Sequence, residues 1–455
     1  MKERCLRRLA GFLAARLPDV DLEAVPDPRA REGRWSLGQI LRATLVGVMA
    51  GCKSLWETED LTTRLSSPMR RMLGLPRRLA DTTMRDALCY HRRDRRRPGE
   101  PPTPIMLEQD REAKRKLVEG LRSSLHRAVR AAWRRKQLAP ARLPFGVVAM
   151  DGKVTALPSI NGEFAQTQHP QDGLPYGLLR TVTCALVSAA GRPCIDVIPI
   201  PSATNEMGFF QAAFASLIST YGKLFQMVTY DAGALSEANA SGVVRAGKDY
   251  LLALKNEQRT MFKLATELLA AQEVVACTVD VLDNKTTVTR TLKLLAVDPS
   301  WSYDKSKGPE ESVWSHAKAF LGVESVTLRE GVVVESDVRL FVTSRAPEGL
   351  TPKQWLYVVR AHWYVENNNH NTLDTAFAED DRPWIEADEY GMLAVLVLRR
   401  IAYTLLALFR ETMRSDEHRA MRWKALLARV CDALVAATPE TLAGLRAREV
   451  VVAPR

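Results

Sequence analysis

Residues 360–382 read RAHWYVENNNHNTLDTAFAEDDR, and the reading of this stretch decides the rest of the chain. Pro352 stands before it and Pro383 just after it, the punctuation of one long helix with Glu366 near the middle. A lone carboxylate needs partners to become a site. Two candidates lie far upstream, each after a short apolar run that reads as a buried strand: 146–150 leads into Asp151, and 226–230 leads into Asp231. In an open α/β sheet, ligands collect in the crevice formed by the carboxyl ends of strands and the loops that follow. Three carboxylates gathered there repel one another, and divalent cations relieve the repulsion. Spacing alone leaves two readings open, a metal-dependent phosphoryl-transfer site or three unrelated solvated acids.

The chain has 455 residues and 46% apolar composition, enough for two to four domains with sizeable cores. Its formal charge of +11 is uneven. Residues 1–142 hold 32 Lys and Arg against 17 Asp and Glu, and the remaining residues hold 32 against 36. A basic excess confined to the first third is an electrostatic footprint for nucleic acid, because Lys and Arg release counterions from a polyanion. The seven cysteines are scattered with no C-x-x-C pair, which predicts neither a disulfide framework nor a zinc site and fits a reducing, cytoplasmic compartment. The longest apolar run, 391–409, is interrupted by Arg399 and Arg400 and reads as a core helix rather than a membrane span.

In chain order, residues 1–95 are helical in pattern. Helical segments at 54–65 and 67–73 precede a turn at Gly74-Leu75-Pro76, after which Asp81 is positioned to cap a helix over 82–91. This is a helix-turn-helix pattern, in which Arg77, Arg78, Thr82, Thr83 and Arg85 face DNA. Residues 92–104, RRDRRRPGEPPTP, read as a linker, and 96–144 as a whole as a basic linker and helix, with the helix over 108–137 expected beside DNA. Strands follow at 146–150, 179–187, 194–200, 226–230 and 249–254, with helices at 205–221 and 235–246. Between 259 and 323 the pattern becomes β-rich, with strands at 274–282 and 286–296 and with Trp301 and Trp314 flanking a polar loop. Strand pattern resumes at 325–329 and 332–344, leading into the Glu366 helix. In the tail, 410–455, Trp423, Leu426, Leu427 and Val430 recur at helical spacing and predict a small helical appendage.

Four segments, AMDGK at 149–153, TYDAG at 229–233, DYLLALKNEQ at 249–258 and the 360–380 stretch, together resemble the DDE transposases of bacterial insertion sequences, most of all the ISAs-type group. The resemblance spans about 145–409. The chain departs from the family pattern at Asn371, Ser236 and Leu373, where the family or its YREK-signature relatives commonly carry Trp, Gln and Lys. The resemblance implies an α/β, ribonuclease H-like core of residues 145–258 and 324–409 with a β-rich insertion and a helical DNA-binding domain before it. In that fold the strands ending at Asp151 and Asp231 lie side by side.

It further implies hydrolysis of a phosphodiester at the terminal inverted repeats, then attack of the freed 3′ hydroxyl on target DNA, by a homodimer on paired ends. Asp151, Asp231 and Glu366 would hold two Mg²⁺ or Mn²⁺ ions about 4 Å apart. Lys255, Arg360, His362 and His370 are candidate DNA contacts, and Trp301 or Trp314 a candidate to hold a base flipped from the stack. Asp374, Glu379 and Asp380 are expected in structural or helix-end roles. A domesticated DNA-binding descendant and a stand-alone metal-dependent nuclease are the competing readings.

Overall fold

The computed structural model describes the chain apart from residues 1–2, 30–33, 76, 90–102, 159, 256–258, 283–284, 299–312, 387, 414–415, 441 and 443–455. The expected linker over 92–104 falls almost wholly outside the described residues. The chain opens with helices α1 (Glu3–Val20), α2 (Leu37–Met49), α3 (Leu55–Arg64), α4 (Ser67–Leu73), α5 (Asp81–Leu88) and the long α6 (Pro104–Arg134). Strands β1 (Val147–Pro158), β2 (Ala165–Gln168), β3 (Tyr176–Leu186) and β4 (Cys194–Pro199) lead to α7 (Glu206–Tyr221). Next come β5 (Met227–Tyr230), α8 (Glu237–Arg245), β6 (Asp249–Leu254) and α9 (Arg259–Ala270). Strands β7 (Val274–Val281), β8 (Thr286–Ala296), β9 (Ala319–Arg329) and β10 (Val332–Thr343) precede α10 (Pro352–His362), a π-helical turn (Val365–His370) and α11 (Asn371–Thr375). The chain closes with α12 (Glu389–Glu411), α13 (Asp416–Arg419) and α14 (Trp423–Ala436).

The strands form one mixed sheet in the order β2-β3-β1-β5-β6-β10-β9-β8-β7, with β4 also on β3. β1 shows why. Its first residues, Val147 to Met150, are buried on both faces, and Val147 to Ala149 pair in parallel with β5, whereas beyond Asp151 burial alternates and the strand pairs only with antiparallel β3. Asp151 therefore lies within a strand that continues to Pro158, not at a strand end as the sequence pattern predicted; what ends near it is the pairing with β5, whose last partner is Ala149. The expected insertion is not a separate body. β10 pairs with β6 through Leu340 to Thr343, and β9, β8 and β7 extend the same sheet outward.

Helices cover both faces. α10 packs Trp355 and Val359 on the face that presents Val147 and Ala149. The opposite face, with Val148 and Met150, belongs to one apolar cluster that runs through Leu121 of α6, Leu217 of α7 and Leu396 of α12 out to Leu13 of α1, Leu41 of α2 and Val430 of α14. The amino-terminal helices and the tail thus share a core with the sheet. α12 is long and apolar enough to cross a membrane, yet its apolar window is entirely buried inside the molecule.

The basic face expected of α6 is engaged by acids. Lys114 pairs with Asp388, Arg115 with Glu163 and Glu112, Lys116 with Glu112, Arg127 with Asp21 and Arg135 with Asp19. Arg122 makes a two-pronged pair with Asp196 of β4 at 2.8 and 3.1 Å, and His126 adds a third contact at 3.1 Å. Lys114, Arg115 and Arg122 thus tie the helix to Asp388, Glu163 and Asp196 and give it a structural role, while Arg130 and Arg134 of the same helix are exposed.

Asp196 is fully buried, and Arg122 and His126 hold its carboxyl well below the usual range despite that burial. A depressed carboxylate contributes stability above its unfolded-state value near 3.9 and loses it as pH falls. Asp196→Asn is expected to destabilise the fold at pH 7 by about 3–5 kcal/mol, since it strands a guanidinium without its partner. The difference from wild type should shrink below about pH 4; equal denaturant midpoints at pH 7 would contradict this account.

Candidate functional site

The parallel register of β1 and β5 pairs Val147 with Met227, Val148 with Val228 and Ala149 with Thr229. The offset is constant, so Asp151 and Asp231, two steps beyond the last pair, emerge at the same level of adjacent strands. Asp231 begins the loop after β5 and accepts from the Gly233 N–H at 2.8 Å, which turns the loop back over the sheet edge. Burial, and then the negative charges of Asp231, Glu206 and Glu366 in that order, push the Asp151 carboxyl up to about 8. The three expected acids are close enough to bear on one another electrostatically.

Glu366 arrives by a different route from the single helix predicted. Thr351 and Gln354 form a reciprocal capping box, and Pro352 occupies the first turn, so α10 begins where the sequence reading put it. It ends at His362. Residues Val365–His370 then form a π turn, with the Asn371 N–H bonded to the Glu366 carbonyl, and α11 continues only to Thr375. π turns inside helices are rare and concentrate at functional sites. Here the wide turn leaves Glu366 exposed while Asn369 and His370 are buried.

The helix is held to β1 by ion pairs. Lys153, two residues beyond Asp151 and 7% exposed, pairs with Asp374, lies 3.3 Å from Asp380 and 3.8 Å from Glu379, and so bridges the strand to the residues after the π turn. Glu379 is fully buried and pairs with Arg400 of α12, while Arg399 donates to the carbonyls of Glu379 and Arg382. Ligand oxygens of Asp374, Glu379 and Asp380 lie within 4.8 Å of one another, a spacing that could hold a cation. Lys153 and Arg400 already supply the positive charge there, so this cluster does not call for a metal. Among the described residues the cluster around Asp151 has no comparable internal cation: Lys255, at 3.9 Å from Asp231, is an exposed side chain at its rim.

The other expected contacts fall into distinct settings. Arg77, Arg78, Thr82 and Arg85 are exposed on and before α5, Thr83 is half-buried, and Arg78 is steadied by Glu59 of α3. Gly74 ends α4 with φ 64°, the left-handed turn between the two helices. Asp81 begins α5 as its first residue, Ala80 being the cap, and the helix stops at Leu88 rather than His91. Arg360 pairs with Asp280 of β7 at 2.7 Å. His362, 3% exposed, shares a 3.1 Å hydrogen bond with Thr229 of β5, and His370, 8% exposed, brings Nδ1 to 3.3 Å from Asp151. Neither ring has the surface to meet DNA. Burial lowers both, His362 to about 4 and His370 to about 3, so both are neutral imidazoles that brace the helix against the acid-bearing strands.

No family model matches the sequence, and no curated protein is significantly similar to it. Solved structures similar to the chain include the piggyBac transposase in a synaptic complex with hairpin DNA, seen by cryo-electron microscopy. That similarity covers 89% of this chain and 85% of that chain at 11% identity, with a TM-score of 0.36.

Of the tryptophans proposed for base capture, Trp301 lies outside the described residues. Trp314 is 8% exposed and packs against Tyr250 and His316, with ring centroids 6.2 and 5.8 Å away. Its surface is consumed by the core, so the flipped-base role is withdrawn for it. Two residues near the acids escaped the sequence reading. Lys153 stood in the quoted AMDGK motif, but nothing local shows which acids it meets. Glu206 reads as an acid in the first turn of α7, the ordinary place for one.

Trp314→Ala is expected to cost about 3–5 kcal/mol of folding stability and Trp314→Phe clearly less. A denaturation midpoint unmoved by Trp314→Ala would return the side chain to the list of free aromatics.

Proposed function

We propose that the chain is a metal-dependent DNA transposase of the DDE kind with a ribonuclease H-like core, acting on the terminal repeats of a bacterial insertion sequence as a homodimer on paired ends. The observation that supports it best is the convergence of like charges on Asp151 from Asp231 on the neighbouring strand and Glu366 on the π turn. The strand order β4-β3-β1-β5-β6, antiparallel on one side of β1 and parallel on the other, supports the core assignment. The motif resemblance over 149–153, 229–233, 249–258 and 360–380 supports the reaction.

Divalent cations fit the donor set. The ligands on offer are carboxylate oxygens, which suit Mg²⁺ or Mn²⁺, and among the described residues no ammonium or guanidinium sits between them as Lys153 does in the neighbouring cluster. Asp151 near neutral pH keeps a proton unless positive charge offsets its neighbours. Asp151, Asp231 and Glu366 would hold the ions, which activate the attacking oxygen and stabilise the leaving one in phosphodiester hydrolysis and strand transfer.

The chain's own side chains do the positioning. His370 contacts Asp151 as a neutral ring, His362 ties α10 to Thr229, and the Lys153 network fixes the segment that follows Glu366. Lys255, exposed at the rim beside Asp231, is placed to meet a phosphate, and the exposed Arg77 and Arg78 before α5 and Arg85 on it offer sequence-independent and base-edge contacts to a duplex.

A duplex carrying the repeat found beside the coding region, with Mg²⁺ and a supercoiled target plasmid, tests the proposal. Joined product is expected; cleavage without joining would make the chain a nuclease, and binding alone a DNA-binding descendant. Asp151→Asn, Asp231→Asn and Glu366→Gln should each reduce cleavage and joining by roughly a hundredfold or more while end binding stays near wild type. Near-normal activity in any one of them, with Mg²⁺ as the sole metal, would remove that residue from the centre.

A further inference from the structure

Asn205 caps α7 by accepting from the Gly208 N–H at 2.9 Å, which sets Glu206 in the first turn as the chain returns from β4 toward β5. The Glu206 carboxylate then reaches into the gap between the two aspartates. It lies against the backbone of Gly152, where a Cβ would come within 1.9 Å of Oε1 and 2.1 Å of Cδ. From the other side, a Cβ on Gly233 would meet Asp231 Oδ1 at 2.9 Å and Glu206 Oε2 at 3.4 Å. The residue after Asp151 must be glycine for this carboxylate to stand where it does.

Glu206 finds no hydrogen-bond or ion-pair partner among the described residues. Arg180 is the cation whose field reaches it, and that guanidinium donates instead to the Thr204 carbonyl at 3.1 Å and to Gln166 at 2.8 Å. A helix N-terminus welcomes an acid, but it does not require the carboxylate to lean toward Asp231. A buried polar group at the same place also lacks a partner. The Tyr230 hydroxyl, on a side chain 1% exposed, lies in the field of Glu206, Asp151 and Asp231 yet bonds to none of them. Buried polar groups are ordinarily satisfied, and orphans around a carboxylate cluster mark a place where a hydrated ion completes the bonding.

We propose that Glu206 is a fourth ligand of the centre, sharing one divalent cation with Asp151 and Asp231, so that the site is built from four acids rather than three. The inference rests on the metal-dependent reading above and deepens it.

Mn²⁺ binding to the full chain, followed by loss of the free-ion signal in electron paramagnetic resonance, tests it without any DNA reaction. Wild type is expected to take up two ions. Glu206→Gln should weaken one of them about tenfold or more and spare the other, Asp151→Asn should lose both, and Glu237→Gln, at the matching first-turn position of α8, should bind as wild type. If Glu206→Gln binds as wild type while Asp151→Asn does not, the fourth ligand is refuted and the three-acid centre stands. If wild type itself binds no Mn²⁺, the metal-dependent reading falls and this inference with it. Should Glu206→Gln fail to fold, Glu206→Asp decides: weakened uptake of one ion upholds the ligand, and wild-type uptake overturns it.

Discussion

The position of Glu366 depends on one buried ion network. Lys153 leaves the same strand as Asp151 and meets Asp374, Glu379 and Asp380, and Glu379 continues to Arg400 in the middle of a wholly buried helix. Glu379 is fully buried, so removing Arg400 would leave a carboxylate in a dry interior, a far larger cost than the net worth of the pair, whereas Asp374 and Asp380 at the Lys153 end are half-buried and exposed. The network therefore acts as a register device. It lets a helix with an irregular π turn sit in one place on β1, and that place brings the Glu366 charge to bear on Asp151.

The contrast between two neighbouring acid clusters carries the functional argument. One is neutralised from within by Lys153 and Arg400 and needs nothing more. The other gathers Asp151, Asp231, Glu206 and Glu366, the cations near it among the described residues being the exposed Lys255 at its edge and Arg180, which donates to Thr204 and Gln166, and its most buried member is driven toward the protonated form. On the proposed reading, the contrast between one cluster compensated from within and an adjacent one that is not leaves a place for charge from outside. Like-charge clusters held against their repulsion are a mark of functional sites.

Much of this was legible in the sequence because it was local or periodic. The buried runs that lead into Asp151 and Asp231 announced themselves as apolar stretches, although β1 runs on past Asp151 to Pro158, and the interval of 80 between the acids became the constant register offset of β1 and β5. The capped start of α10 was written in Thr351, Pro352 and Gln354. What was not legible depended on distant partners. The arginines of α6 read as a DNA face because Asp196, which holds Arg122, is hidden in an apolar strand. The β-rich segment over 259–323 gave no local sign that β8 would pair with β9 and so carry the sheet outward. Trp314 looked available until the Tyr250 and His316 rings beside it were known. Glu206 has no distinguishing pattern in one dimension, since its role comes from the space left by Gly152.

The central claim is that the crevice between β1 and β5, rather than the Lys153 cluster, is built to hold divalent cations. Crystals of the protein equilibrated with Mn²⁺ and measured at the manganese absorption edge address it directly. The account predicts anomalous density among Asp151, Asp231 and Glu366. Density at Asp374, Glu379 and Asp380 with the acid crevice empty would contradict it.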